Sequence, residues 1–178
     1  MIYFVLVVLF ALSMLFFVAG MLPDDFRYSR SAQMAARPED VFLHVNTLRL
    51  WNAWSPWARL DLNAKTTFEG PESGVGSIMR WDGNKKVGKG SMEITESSVG
   101  QRIRFKLVFE KPMQATNHAE FVFKTVEGKT EVTWSMWGKS SFTAKLIGLV
   151  MNCEKMVGKQ FESGLANLKS VVEPKGAA

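Results

Sequence analysis

The chain has 178 residues and a formal net charge of +5, and its length predicts one domain. Hydrophobic residues make up 47% and charged residues 22%, a composition that excludes a disordered chain. A single cysteine excludes a disulfide framework, and with only two histidines it argues against a zinc site built from protein ligands. The mild excess of basic residues suits an anionic membrane surface, and because the sequence has no Lys/Arg run we expect no nucleic-acid partner. We also expect no metal and no cofactor.

The first 22 residues predict a single-pass membrane anchor. Met1–Leu22 carries no ionisable side chain, and only Ser13 and Gly20 interrupt its apolar residues. As a helix it would span about 33 Å, which is enough to cross the hydrocarbon core of a bilayer. The alternative is a cleaved signal peptide, with Val18 and Gly20 as the small residues at the cleavage site. Against that alternative, no Lys or Arg precedes the run and it is long for a signal sequence.

The charges that flank this helix predict its orientation. Arg27, Arg30 and Arg37 follow the helix, whereas only the terminal amine precedes it. The positive-inside tendency therefore places the domain in the cytoplasm, although Asp24 and Asp25 weaken the signal.

The residues after the anchor predict an extended stretch and then a short helical region. Phe26 to Ala35 is expected to be extended. Ala36–Asp40 has the features of a helix start, with a proline in the first turn and acidic residues near the positive end of the helix dipole. The helical region should end at Trp54–Trp57, because Pro56 disfavours helix in the residue before it.

From Lys65 onward, apolar residues alternate with polar ones, which predicts strands with one buried and one exposed face. Short turn-like connections such as Asp82-Gly83-Asn84 and Glu127-Gly128-Lys129 predict antiparallel pairing in a meander. The predicted strands are Thr66–Glu69, Gly76–Asp82, Val87–Glu96, Arg102–Glu110, Thr116–Val126 and Thr130–Lys139.

The C-terminal region predicts a long amphipathic helix, because apolar residues recur every three or four positions from Cys153 to Val172. A curved sheet with one apolar face can bury this stripe by wrapping around the helix, which predicts an α+β fold. Such packing leaves an apolar cavity unless large side chains fill it. The domain would occupy residues 23–173, followed by a frayed tail at residues 174–178.

Several short motifs carry a family resemblance, which covers roughly residues 26 to 172. They are Ala35–Phe42, Trp51–Trp57, Gly70-Pro71, Gly74-Val75-Gly76, Trp81-Asp82-Gly83 and Phe161–Lys169. Together they resemble the helix-grip fold of the START-related superfamily (SRPBCC), and specifically its bacterial polyketide cyclase/dehydrase-like branch. The resemblance implies a curved antiparallel sheet around a long C-terminal helix. It implies no catalytic residue, because the superfamily hosts carriers, cyclases, aromatase-like enzymes and co-chaperone-like domains.

The tryptophans are the first candidates for a pocket. Trp51, Trp54 and Trp57 are spaced three apart, and they would either plug the core, as we expect, or cap the mouth of a cavity. Trp134 shares the parity of its apolar strand neighbours and should face inward. Trp137 has the opposite parity, so it either faces outward or is shifted by a bulge.

Among the polar residues, Asn117 is the one we most suspect of touching a ligand, because it has the inward parity of Phe121. The alternative for Asn117 is a core position satisfied by the backbone. The same alternation places the next residue, His118, on the solvent face. Cys153, on the apolar stripe of the C-terminal helix, should pack as a small hydrophobic residue. The sequence contains no phosphate loop and no HExxH, CxxC or GxSxG motif.

These observations predict a mainly apolar ligand pocket between the sheet and the C-terminal helix. Gly164 lies on the apolar stripe of that helix, where a glycine costs about 1 kcal/mol relative to alanine and so has a packing or ligand reason. It would either leave room for a ligand or let a strand approach. The residues predicted to bound the pocket are Trp54, Asn117, Phe121, Trp134, Met156, Gln160 and Gly164.

Functions of different classes fit this picture. The leading hypothesis is a membrane-anchored binding module that holds a hydrophobic small molecule or lipid in the cavity. The alternative is a polyketide cyclase/dehydratase-like enzyme that uses a few polar cavity residues, Asn117 first, and His118 if the register is off by one. A domain that presents its surface to a protein partner is a third possibility.

Overall fold

The computed structural model describes residues 1–173, so the predicted frayed tail at residues 174–178 lies outside the described residues. The helices are α1 (Ile2–Met21), α2 (Pro38–Asn46), α3 (Phe142–Val150) and α4 (Cys153–Val172), with short 3-10 helices at Leu48–Ala53 and Pro56–Arg59. The strands are β1 (Asp25–Met34), β2 (Lys65–Glu69), β3 (Ile78–Asp82), β4 (Lys89–Ser98), β5 (Arg102–Lys111), β6 (Ala115–Val126) and β7 (Lys129–Lys139).

The seven strands form one antiparallel sheet in the order β1-β7-β6-β5-β4-β3-β2. Strands β2 to β7 make the predicted meander, and β1 extends the sheet by pairing with β7. The predicted strand Gly76–Asp82 begins instead at Ile78, because Gly76 has a φ of 87° and belongs to a turn. The curved sheet and the long C-terminal helix confirm the predicted α+β helix-grip fold.

Helix α4 lies across the concave face of the sheet with Phe161, Leu165 and Leu168 buried. We predicted that Met156 would bound a pocket between this helix and the sheet, but its side chain is 50% exposed. The helical period explains the error. Residues three and four positions before Phe161 share its face, and Met156, five positions before it, points away. The buried stripe therefore continues through Gly158.

Two glycines let α4 approach the sheet closely. A Cβ at Gly164 would lie 2.7 Å from Trp134 Cζ3 and 3.1 Å from Pro56 Cδ. A Cβ at Gly158 would overlap the guanidinium of Arg30, which crosses beneath the helix from β1. The distances at Gly164 favour close approach of the helix over room for a ligand at this position. A leucine at this position would clash with Trp134 rather than fill a void.

Helix α1 extends from the domain as one continuous helix. It is long and apolar enough to cross a membrane, with a mean hydropathy of 2.8 and 6% of that span buried. Its last turns contact α3, where the rings of Phe16 and Phe142 stack with centroids 5.8 Å apart. Lys145 on α3 donates a hydrogen bond of 2.7 Å to the carbonyl of Leu22 and pairs with Asp24. These contacts tie the end of α1 to the domain.

Candidate ligand-binding site

The concave face of the sheet has a filled half, where aromatic rings occupy the space beneath α4. Trp134 and Phe161 stack with centroids 4.2 Å apart, and Trp51 and Trp54 lie 4.5 Å apart. Phe121 stacks on Trp134 at 4.7 Å. The tryptophans after α2 therefore plug the core, as expected. The predicted pocket residues Trp54, Phe121, Trp134 and Gly164 all lie in this packed region.

The other half of the concave face is only partly covered. Several inward-facing apolar side chains there are half-buried, in contrast to their fully buried neighbours further along the same strands, although Met92, between Leu107 and Met79, is buried. The strand register places Tyr28 beside Met136 and Leu107 beside Asn117, so these residues share one surface. We call this surface the open face, and its residues are Tyr28, Met79, Trp81, Leu107, Asn117 and Met136.

Asn117 brings a polar group to the open face. Its side chain is 8% exposed, and its Oδ1 atom has no hydrogen-bond partner among the described residues. The amide lies directly over Gly138 of β7, where a Cβ would overlap it. A buried carbonyl oxygen without a donor costs roughly 1–3 kcal/mol, so a donor supplied by a ligand or water would be favourable here.

A shallow cavity of about 520 Å³, largely open to solvent, adjoins the open face at the β1 edge of the sheet. Tyr28 lines both surfaces, and residues 148–154 at the junction of α3 and α4 form the remaining wall. This volume lies within the usual range of roughly 300–1,000 Å³ for small-molecule sites. Because α3 contacts α1, this cavity lies on the side of the domain nearest to α1.

Tyr28, Cys153 and Glu154 are the titratable residues that border this cavity. Burial raises the pKa of Tyr28 above its ordinary value of 10.0, and the charges of Cys153 and Glu154 raise it further. Tyr28 therefore remains protonated at neutral pH and can donate a hydrogen bond, but it is not a base. The Glu154 side chain is 66% exposed and lies 3.9 Å from Arg30.

A second cavity of about 330 Å³ lies at the opposite end of the sheet. Leu48, Phe68 and Ile78 line it together with Glu69 and the guanidinium of Arg49. That guanidinium stacks over the Phe68 ring at 4.5 Å. Among residues 1–173, no three His, Cys, Asp or Glu side chains are placed to hold a metal ion.

Residues 25–173 match the family described as "Polyketide cyclase / dehydrase and lipid transport". The chain belongs to this family. Its fold is similar to that of a protein from Chromobacterium violaceum, with a TM-score of 0.60 and 16% identity over 86% of this chain and 100% of that one. The Aha1 dimer from Colwellia psychrerythraea has a TM-score of 0.60 and 17% identity over 86% of this chain and 99% of that one.

The di-domain ARO/CYC BexL from the BE-7585A biosynthetic pathway is also similar, with a TM-score of 0.65 and 14% identity. That match covers 88% of this chain and 53% of BexL. At these identities the likeness shows a shared fold and no shared chemistry. No curated protein has significant sequence similarity to the chain.

In this member of the polyketide cyclase/dehydrase family, the remaining predicted site residues, Met156 and Gln160, both lie on α4. Met156 points to solvent, and Gln160 on α4 is half-buried. His118 faces outward, as its parity predicted, and stacks on Trp137 with centroids 5.9 Å apart. Trp137 is therefore also on the outer face.

Sequence reasoning missed Tyr28, the residue shared by the cavity and the open face. A signal was available, because Tyr28 alternates with polar residues in the extended stretch and shares its parity with Phe26 and Met34. Extending the parity argument to this first strand would have placed Tyr28 on the concave side.

Proposed function

We propose that the protein is a membrane-anchored binding module that holds a hydrophobic small molecule or lipid between the sheet and α4. The observation that carries the proposal is the open face, an inward-facing apolar surface that α4 leaves uncovered beside a cavity of about 520 Å³. Covering such a surface with an apolar ligand contributes about 25 cal/mol for each Å² removed from water.

The composition of the open face suits varied apolar ligands. Met79 and Met136 have flexible, polarisable side chains that adapt to different shapes. Asn117 and Tyr28 add one buried acceptor and one hydroxyl donor, and most small-molecule sites combine an apolar wall with a few such polar groups.

The position of the open face relative to α1 supports membrane anchoring. Strand pairing places the start of β1 beside the end of β7, and the same strand ends carry Lys65, Lys111 and Lys139 together with Lys89, which is paired with Asp82 and Glu110. Lysine side chains that are not paired in this way favour anionic headgroups. Anchoring also raises the local concentration of the domain at the bilayer, where apolar ligands partition. The basic residues that follow α1 favour a cytoplasmic location for the domain.

The test compares two charge substitutions at adjacent positions of β5. Leu107 faces the open face and Val108 the outer face, and both are half-buried. Using the detergent-purified full chain and a fluorescent fatty-acid analogue, we expect Leu107→Glu to lower affinity by about tenfold or more, because the ligand would desolvate the carboxylate. Val108→Glu should bind the probe as the wild type does. No saturable binding by the wild type, or equal loss in both variants, would refute the proposal.

A cyclase- or dehydratase-like enzyme is the second candidate, and Tyr28 is the observation that favours it. A hydroxyl with a raised pKa could donate a hydrogen bond to a substrate carbonyl at the cavity wall. Mass spectrometry of a co-purified ligand before and after incubation with fresh protein would detect turnover. Turnover that Tyr28→Phe abolishes, with probe binding retained, would identify an enzyme, and an unchanged ligand would favour the binding module.

A further inference from the structure

We infer that α3 is an interfacial helix that lies along the surface of the same bilayer that α1 crosses. The inference rests on the proposed anchoring of α1. It adds a second membrane contact, made by the folded domain itself, and it assigns the bilayer as the partner of an otherwise uncovered apolar surface.

The contacts between α1 and α3 set the depth of α3. Phe142, at the start of α3, stacks on Phe16, and Ala19 is completely buried nearby. Phe16 lies five residues before Met21, the last residue of α1, which corresponds to about 7.5 Å along the helix. An amphipathic helix at a membrane surface buries its apolar face roughly 5–10 Å into the boundary between headgroups and acyl chains. Phe142 is therefore at the depth expected of such a helix.

The exposed side chains of α3 and its C-terminal cap carry no charge. Phe142 is 46% exposed, Leu149 36%, Val150 82% and Met151 49%. A cluster of this kind is unfavourable in water and favourable against acyl chains. Continuity with α1 identifies the occupant, because the same segment packs on the part of the chain that enters the bilayer.

The one charged side chain of α3 is already neutralised. Lys145 is buried, with its ammonium bonded to the Leu22 carbonyl and paired with Asp24. A second hydrogen bond from the Lys145 ammonium, to the Asp24 carboxylate, lowers the pKa of Asp24 below its ordinary value. The helix can therefore approach the hydrocarbon without carrying an unpaired charge into it.

This placement brings the ligand cavity to the membrane surface. Its wall is formed by residues 148–154, which include the exposed end of α3. An apolar ligand could pass between the acyl chains and the cavity without crossing bulk water.

The test measures the depth of single labels on the full chain in vesicles of phosphatidylcholine and phosphatidylglycerol. In a Cys153→Ser background, Val150→Cys reports on α3 and Leu9→Cys on the middle of α1. Val99→Cys is the matched control, because Val99 is 70% exposed in the turn between β4 and β5 at the opposite end of the sheet. Each cysteine carries an environment-sensitive fluorophore, and lipids with a nitroxide near the headgroup or deep in the chain quench it.

We expect the shallow nitroxide to quench the Val150 label by roughly twofold, with the Val99 label unaffected and the Leu9 label quenched by the deep nitroxide. Quenching at Leu9 without quenching at Val150 would overturn the inference and leave the anchor intact. An unquenched Leu9 label would overturn both. Met151→Cys provides an independent label on the same surface if Val150→Cys does not fold. Ligand binding is measured separately with the Leu107 and Val108 variants. Failure of the proposed ligand binding can therefore be distinguished from failure of the proposed membrane contact of α3.

Discussion

The amide of Asn117 is the residue-scale feature that connects packing with binding. Its position depends on Gly138, since any side chain there would displace the amide. Its Oδ1 atom remains without a partner among the described residues, in contrast to Asn46, whose Oδ1 accepts a hydrogen bond of 2.7 Å from Ser97. We therefore expect replacement by leucine to have different effects on the free energy of unfolding at these two asparagines.

Asn117→Leu should leave the free energy of unfolding unchanged or raise it, because replacing an unsatisfied buried polar group by an apolar group of similar size removes a desolvation cost. Asn46→Leu should lower it by about 1 kcal/mol or more, because the Ser97 hydroxyl loses its partner. Urea titration of the full chain in detergent, followed by tryptophan fluorescence, measures both. Equal destabilisation by the two variants would mean that Asn117 has a partner in solution.

The imidazole of His44 makes stability depend on pH. Its Nδ1 atom is buried without a partner among the described residues, and burial lowers its pKa below the ordinary 6.5. The unfolded chain therefore binds the proton more readily. The contribution of neutral His44 to the free energy of unfolding is complete above the ordinary pKa of histidine. It is lost as the pH falls from that value toward the lower pKa of His44 in the folded protein.

His44→Gln should accordingly flatten the fall in unfolding midpoint between about pH 7.5 and 5.5. His118→Gln is the control, because it makes the same substitution at the other histidine, which is exposed on the outer face. Thermal melts across this range distinguish them, and a His44→Gln profile that overlays the wild type would contradict the explanation.

At the scale of elements, α4 is held by one stripe of side chains that fit the aromatic core. Phe161 is 1% exposed and stacks on Trp134 with an interplanar angle of 8°. Gly158 and Gly164 on the same stripe allow the helix to reach that core. Consequently, the effect of a substitution in α4 on the free energy of unfolding depends on which face of the helix the residue occupies.

Phe161→Ala should lower the free energy of unfolding by about 3–5 kcal/mol, because the surrounding rings cannot collapse into the void. Met156→Ala on the exposed face of the same helix should change it by less than about 0.5 kcal/mol. Denaturant titration compares the two. A loss below about 1 kcal/mol for Phe161→Ala would show that the site is not tightly packed.

At the scale of the whole molecule, α1, α3 and the open face all lie toward the same ends of the strands. The arrangement follows from connectivity, since β1 leaves α1 and pairs with β7, and β7 leads directly into α3. The aromatic core lies further from α1, toward the opposite strand ends. Among the described residues, that core cluster contains no residue of α1.

Deletion of residues 1–22 should release a soluble domain whose sheet is folded, because the described contacts of α1 are chiefly with α3. We expect amide hydrogen exchange to remain slow in β4 to β7 and to become faster in α3, which loses Phe16 and the Leu22 carbonyl. An insoluble or unfolded truncation would mean that α1 belongs to the core. The mass of the full chain from a membrane fraction separately distinguishes a retained anchor from a cleaved signal peptide.

Much of the fold was predictable because its signals are local. Strand alternation in Arg102–Lys111 and helical spacing in Cys153–Val172 are set by which neighbouring side chains are apolar, so element types and order followed directly. Inward and outward parity also followed, as His118 and Trp134 show. Strand ends were less accurate where a glycine such as Gly76 begins a turn.

The sequence by itself therefore determined the fold class, the family, the apolar N-terminal helix and the two faces of the sheet. Only the tertiary structure decided which part of the concave face is filled. Trp54, Trp134 and Phe161 come from distant segments, and whether their rings meet or leave a cavity depends on how closely Gly164 lets α4 approach. Packing between segments is not encoded in any local pattern, and for that reason the candidate site moved from the core to the open face beside Tyr28.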